Sequence, residues 1–229
     1  IRDSDEDRFS ISGRFAPELE SADPADNLVL KARDRLRDHA RQAGYDAPPV
    51  DLHLVKALPV ASGIGGGSAD AAATLRGLVR HWRLHVDQAA LRTIALELGA
   101  DVPMCLAGGA LIARGIGEEI TPLAGFGPLF MVLVNPLKPV STRAVFRLLA
   151  RKDNPPLPAL KDEDWHRAIG TLRNDLQPPA VQLLPDIATV LDHLAAEGAD
   201  MVRMSGSGAT CFGLYATSDK AEAAARRLS

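Results

Sequence analysis

The chain is 229 residues long, 46% of them hydrophobic and 24% charged, with a formal net charge of −3. Such values describe an ordinary globular protein of one large or two small domains, and they leave no basic footprint for a nucleic-acid partner. No apolar run approaches the roughly eighteen residues that a membrane span needs, so no membrane association and a cytoplasmic location are expected. Ser10 to Phe15 reads as a short strand. Asn27 is placed to cap a helix whose apolar face is Leu28, Ala32 and Leu36. Val50 to Lys56 alternates as a half-buried strand does. The next helix carries Leu75, Leu78, Val79 and Trp82 on one face. Another carries Leu91, Ile94, Ala95 and Leu98 and stops at Gly99. Ala110 to Ile120 and Leu129 to Val134 read as strands, the second an apolar run of the kind found in buried strands.

Pro136 and Pro139 mark a change of character, which places a domain boundary between residues 137 and 138. Beyond it, Ser141 to Leu149 reads as a short helix, and Asp153 to Pro158 as a proline-rich loop. Leu184, Ile187, Ala188 and Leu191 stripe a long helix. Met201–Met204 and Thr210–Tyr215 read as two strands around a glycine loop. The elements alternate without a regular βαβ rhythm, so the fold class is α+β. Cys105 and Cys211 sit among apolar residues; reduced buried thiols fit them, and one disulfide stays open. His81 and His85 stand four apart without the Glu of a zinc motif, so they are surface or structural residues.

Pro59 to Ala73, PVASGIGGGSADAAA, holds the densest chemical information. Glycines let the backbone approach a ligand closely, and the first turn of the following helix offers unpaired N–H groups at a positive dipole end. Strand, glycine loop and helix together make a cradle suited to nucleotide phosphates. The segment lacks the lysine of a Walker A loop. It also fails the G-x-G-x-x-G fingerprint, because the sixth position from Gly63 is Ser68. A glycine-rich turn that only starts a helix would look similar.

The segment does fit P-x-x-x-G-[LI]-G-x-[GS]-S-[AS], and in this it resembles the second motif of the GHMP kinases. Two further segments follow in that family's order: GADVP at Gly99 to Pro103, and MSGSGATC at Met204 to Cys211. The form GIGGGSADAA is most similar to the branch that phosphorylates a cytidyl-linked sugar alcohol phosphate in isoprenoid-precursor synthesis. The resemblance implies a two-domain α+β GHMP architecture, residues 1–137 and 138–229, with the active site between the lobes. It implies an ATP:alcohol phosphotransferase using ATP and Mg2+ on a small-molecule substrate. Another GHMP kinase, of homoserine or mevalonate type, and a non-catalytic nucleotide-binding protein of this fold are the competing readings. Family members carry an earlier motif, with a lysine and an asparagine on a strand and then Gly-Tyr-His; no such pattern precedes the cradle here, so the chain reads as truncated at the N-terminus. Its C-terminus likewise reads as short, ending inside a helix.

Carried over by motif, Pro59, Gly63, Gly65, Gly66, Gly67, Ser68 and Ala69 are the nucleotide-binding residues. Asp101 is the catalytic residue. Phosphoryl transfer asks chiefly for positioning, so an aspartate there would orient the acceptor hydroxyl and take its proton late. Seen alone, Asp101 could equally cap the turn at Val102-Pro103. Ser205, Gly206, Ser207 and Gly208 form a phosphate-proximal loop; without the family order they would read as a simple hairpin turn. PVSTRAVF resembles the family's substrate segment, which gives Thr142 and Phe146 to the cytidyl substrate. Phe146 is suited to stacking on cytosine, and a place in the core would suit it as well. The Ser68 hydroxyl suits a phosphate or the metal ion. Asp70 reads as a helix-capping residue, and Asn174-Asp175-Leu176 matches a family element without a chemical role.

Overall fold

A computed structural model describes residues 1–21, 23–155 and 165–229. The chain forms two compact units, one from residues 1–60 and 65–124, the other from 61–64 and 125–229.

The first unit holds strands β1 (Arg2–Asp3) and β2 (Arg8–Ser12), helix α1 (Ala16–Glu20), helix α2 (Leu28–Gln42) and strand β3 (Val50–Val55). Helices α3 (Gly66–His81), α4 (Gln88–Leu98) and α5 (Val102–Ala107) follow, then a hairpin of β4 (Leu111–Arg114) and β5 (Glu119–Pro122). The expected strand at Ser10–Phe15 is β2, shifted toward the N-terminus, because Gly13 turns the chain and Phe15 is buried at the start of α1. The expected strand at Ala110–Ile120 is the two-stranded hairpin, turned through Gly115 and Gly117.

Local chemistry sets the helix ends. Asn27 Oδ1 accepts from the Val29 N–H at 2.9 Å, and Asp87 Oδ1 accepts from the Ala90 N–H at 2.7 Å. The stripe Val29, Ala32, Leu36 and Ala40 on α2 packs with Leu75 and Leu78 of α3 and with Leu91 and Ile94 of α4. Val50 and Leu52 of β3 complete this core. The sheet order is β1-β3-β2. Strands β2 and β3 pair in parallel across α2, so one βαβ unit is present where no such rhythm was expected.

The second unit contains β6 (Phe130–Val134), α6 (Thr142–Leu148), α7 (Trp165–Gly170), α8 (Gln177–Leu183), α9 (Asp186–Ala196), β7 (Met201–Met204), β8 (Cys211–Tyr215) and α10 (Ser218–Arg227). Its sheet is antiparallel, in the order β6-β8-β7. Val132, Met204, Cys211 and Tyr215 pack with Ile187 and Leu194 of α9 and Ala224 of α10.

Three expectations need correcting here. The boundary lies at Ala124/Gly125, not at 137/138, because Phe130–Val134 pairs residue by residue with β8 of the second unit. That apolar run is not buried on both faces: Val132 is 7% exposed, but Met131 and Leu133 on the opposite face are 42% and 51% exposed. The long helix through Leu184 is two helices, because Pro185 supplies no N–H and starts α9 afresh. Residues 156–158 of the proline-rich loop lie outside the described residues.

Candidate active site

The glycine segment is divided between the units. Its second half belongs to the first unit and opens α3. Gly65, at φ 69°, is the N-cap, and no side chain caps the helix. The Ala69 N–H makes the first helical bond, to Gly65 O at 2.8 Å. The amides of Gly66, Gly67 and Ser68 precede it and have no partner among the described residues, as a helix start leaves them. Those three donors stand at the positive dipole end of α3. The N–H of Ala69, expected among the nucleotide-binding groups, is spent on Gly65 O. Pro59 precedes the loop and has no N–H to give; the neighbouring Val60 N–H is held by Glu18 Oε2 at 3.2 Å.

Asp70 does not cap the helix. Its Oδ2 accepts from Lys56 Nζ at 2.9 Å, and Lys56 is 5% exposed at the end of β3. The carboxylate, one turn into α3 from its open start, is therefore paired with a buried cation. Nothing local to residue 70 announces this, because the partner lies on another element.

Asp101 stands at the N-cap of α5, exposed, and its side chain makes no capping bond. The turn-capping alternative thereby loses its support. One helical turn on, the Cys105 N–H bonds to Asp101 O at 3.1 Å. Burial pushes the Cys105 thiol upward, and the neighbouring Asp101 charge pushes it further. A Cβ at Gly65 would meet Cys105 Sγ at 3.9 Å, so α5, which starts at Asp101, packs against the start of α3. Arg76 of α3 fixes that packing by donating from Nη1 to Cys105 O at 2.9 Å and to Leu106 O at 3.2 Å.

The second unit gathers the remaining candidates. Ser205 Oγ donates to Gly63 O at 2.9 Å, and the Thr210 N–H donates to Ser62 O at 3.1 Å. The first half of the glycine segment thus lies against the loop Ser205–Gly208. Gly63 has φ 74°, and a Cβ there would collide with Gly208 O and stand 2.8 Å from Ser205 O. Thr142 Oγ1 and Ser207 Oγ are 2.8 Å apart. Phe146 is 49% exposed while its neighbour Val145 is fully buried, so Phe146 is not part of the core.

Asn174, given no role from sequence, clamps this loop. Its Nδ2 donates to Met204 O and to Gly206 O, each at 2.8 Å, and Gln177 Oε1 accepts from the Met204 N–H at 2.9 Å. An asparagine beside an aspartate at a helix start offered the only hint. Both cysteines are free, Cys105 half-buried and Cys211 buried, with burial pushing the Cys211 thiol up to about 12. His81 pairs with Asp3 at 3.1 Å and His85 lies against the Tyr45 ring, both structural placements. Among the described residues no helix is long and apolar enough to cross a membrane.

Residues 27–109 match the family described as GHMP kinases N terminal domain, and residues 149–229 match GHMP kinases C terminal. The chain belongs to the GHMP kinases. It is 56% identical over 230 residues to a 4-diphosphocytidyl-2-C-methyl-D-erythritol kinase of Rhizobium meliloti (strain 1021), covering 99% of this chain and 76% of that protein. The protein of the same name from Agrobacterium fabrum (strain C58) is 55% identical over 233 residues, covering 100% and 78%. A crystal structure of 4-(cytidine 5'-diphospho)-2C-methyl-D-erythritol kinase matches with TM-score 0.74 and 32% identity over 97% of this chain and 78% of that one. A homoserine kinase from Cytophaga hutchinsonii shares the fold, with TM-score 0.70 at 18% identity over 98% and 78%.

Proposed function

We propose that this chain transfers the γ-phosphate of ATP to the 2-hydroxyl of 4-diphosphocytidyl-2-C-methyl-D-erythritol, a step toward isoprenoid precursors. The relatives of that name, more than half identical over almost the whole chain, favour this substrate over homoserine or mevalonate. One observation carries the chemistry: α5, which starts at Asp101, packs against the open start of α3, with Cys105 Sγ 3.9 Å from the Cβ position of Gly65 and near enough to Asp101 to feel its charge.

The amides of Gly66, Gly67 and Ser68 hold phosphate oxygens and absorb charge that builds on them in the transition state. Asp101 accepts the proton of the acceptor hydroxyl and aligns its oxygen on the γ-phosphorus. The new O–P bond forms as the bond to the bridging oxygen of ADP breaks, and the proton reaches Asp101 late. Thr142 and Phe146 serve the substrate, through a hydroxyl and through stacking on the cytosine. Ser205 to Gly208 shape the loop that Thr142 meets.

Magnesium fits this donor set as a nucleotide-borne ion. Among the described residues no cluster of three His, Cys, Asp or Glu side chains could hold a metal by itself. Magnesium commonly takes one or two protein oxygens and fills its shell with phosphate and water, and the Ser68 hydroxyl would supply one such oxygen. When bound, the ion neutralises phosphate charge.

The test is turnover of purified protein with ATP and the cytidyl substrate, with homoserine and mevalonate offered as alternatives. ADP release with the cytidyl substrate alone is expected. Release with either other alcohol instead, or with none of the three, would defeat the reading.

A further inference from the structure

Lys56 is a cation placed under the phosphate cradle by the fold, far from the glycine motif in chemical type though close to it in sequence. It directly follows β3 and is one of the few buried polar residues described in the first unit. Its ammonium has three donor positions, and one is taken by Asp70 Oδ2 at 2.9 Å. Among the described residues nothing else accepts from it. A buried ammonium with unspent donors is costly, and such groups find a partner.

Its direction is fixed by Gly66, the first residue of α3. A Cβ at Gly66 would stand 3.5 Å from Lys56 Nζ. The ammonium therefore lies beside the first turn of the helix, where the amides of Gly66, Gly67 and Ser68 are unspent. Leu58 closes the same place with its Cβ and Cδ1, 3.9 and 3.8 Å from that Cβ position. Asp70, 27% exposed at its side chain, holds the ammonium from the helix side.

A carboxylate one turn into the helix would weaken a phosphate bound at its start if its charge stood alone. Paired to Asp70, Lys56 cancels that charge. Two explanations of the pair then differ: Lys56 either serves only to cancel Asp70, or it also donates to the nucleotide.

We infer that Lys56 is a nucleotide-binding residue whose free ammonium donors hydrogen-bond a phosphate oxygen of the bound nucleotide, with Asp70 as the positioning residue that keeps the ammonium beside Gly66. This rests on the kinase reading above and deepens it.

A charge-swap cycle separates the two explanations, read by calorimetric binding of ADP and by the KM for ATP. Lys56→Met should weaken ADP binding by roughly ten- to a hundredfold, the range of a lost charge-assisted hydrogen bond. The double variant Lys56→Met/Asp70→Asn has no unpaired charge. It should still bind at least about tenfold more weakly than the unaltered protein, because the missing donor is not replaced. Recovery of the double variant to within about twofold would overturn the inference and leave Lys56 as a mere counter-charge. Should Lys56→Met not fold, Lys56→Gln and Lys56→Gln/Asp70→Asn take the place of the two Met variants, with the same expected losses and the same overturning result. An unaltered protein that binds no ADP at all would strike the kinase reading itself, whatever the variants do.

Discussion

Thr142 Oγ1 lies 2.8 Å from Ser207 Oγ, tying the start of α6 to the second glycine loop. Both hydroxyls are at or near the surface, so the bond contributes little to folding and much to the placement of Thr142. Replacing Thr142 with Val should raise the KM for the cytidyl substrate by roughly three- to tenfold, the worth of one neutral hydrogen bond. ADP affinity should stay unchanged. Steady-state kinetics beside calorimetry would show the split, and an equal loss for both ligands would count against a substrate role.

Asp101 is exposed and caps nothing with its side chain. Asp101→Asn should therefore leave the urea midpoint within about 0.5 kcal/mol of the unaltered protein, as surface changes usually do. Its kcat should fall by roughly a hundred- to ten-thousandfold, as expected when a positioned base is removed. Unchanged turnover would remove Asp101 from the mechanism.

Gly63 and Gly65 both have positive φ, 74° and 69°, yet their surroundings differ. A Cβ at Gly65 meets only Cys105 Sγ at 3.9 Å, so Gly65→Ala should cost about 1–2 kcal/mol, the backbone term alone. At Gly63 the Cβ would collide with the carbonyls of the second loop, so Gly63→Ala should destabilise by more, about 2–4 kcal/mol. Chemical denaturation of the two variants side by side tests the order; equal losses would contradict the packing described.

Asp7 accepts two hydrogen bonds from Arg37, one of them at 2.7 Å, and one from the Val50 N–H at 3.0 Å. The Arg37 guanidinium, opposed by burial and helped by Val50 and the Arg33 charge, holds the Asp7 carboxyl below its ordinary value of 3.8. A depressed folded-state value means the stabilisation is present above the unfolded value and is lost as pH falls through the folded one. Unfolding free energy should thus drop as pH falls below about 4. Asp7→Asn should flatten that part of the dependence. A curve that keeps its full slope in the variant would assign the acid sensitivity elsewhere.

The elements with local signals were the ones legible in the sequence. Asn27 marked the start of α2 and Gly99 the end of α4, because a cap and a stop act within a few residues. The glycine run announced an open helix start for the same reason. What escaped depends on partners distant in the chain. Met131 and Leu133 look like core residues, and only the pairing of β6 with β8 shows which face is covered. Pro185 was the exception: its signal was local, and the apolar stripe across it outweighed a proline that restarts the helix. Lys56 and Asn174 act on atoms 14 to 32 residues away, which no periodicity could reveal.

Because residues 61–64 fold with the second unit, no single scission yields both halves intact. A fragment starting at Gly125 would leave the Thr210 amide and the Ser205 hydroxyl without the acceptors supplied by Ser62 and Gly63. Anyone grafting the MSGSGATC loop onto a relative must transplant these four upstream residues along with it, since donor and acceptor backbones were shaped as one piece.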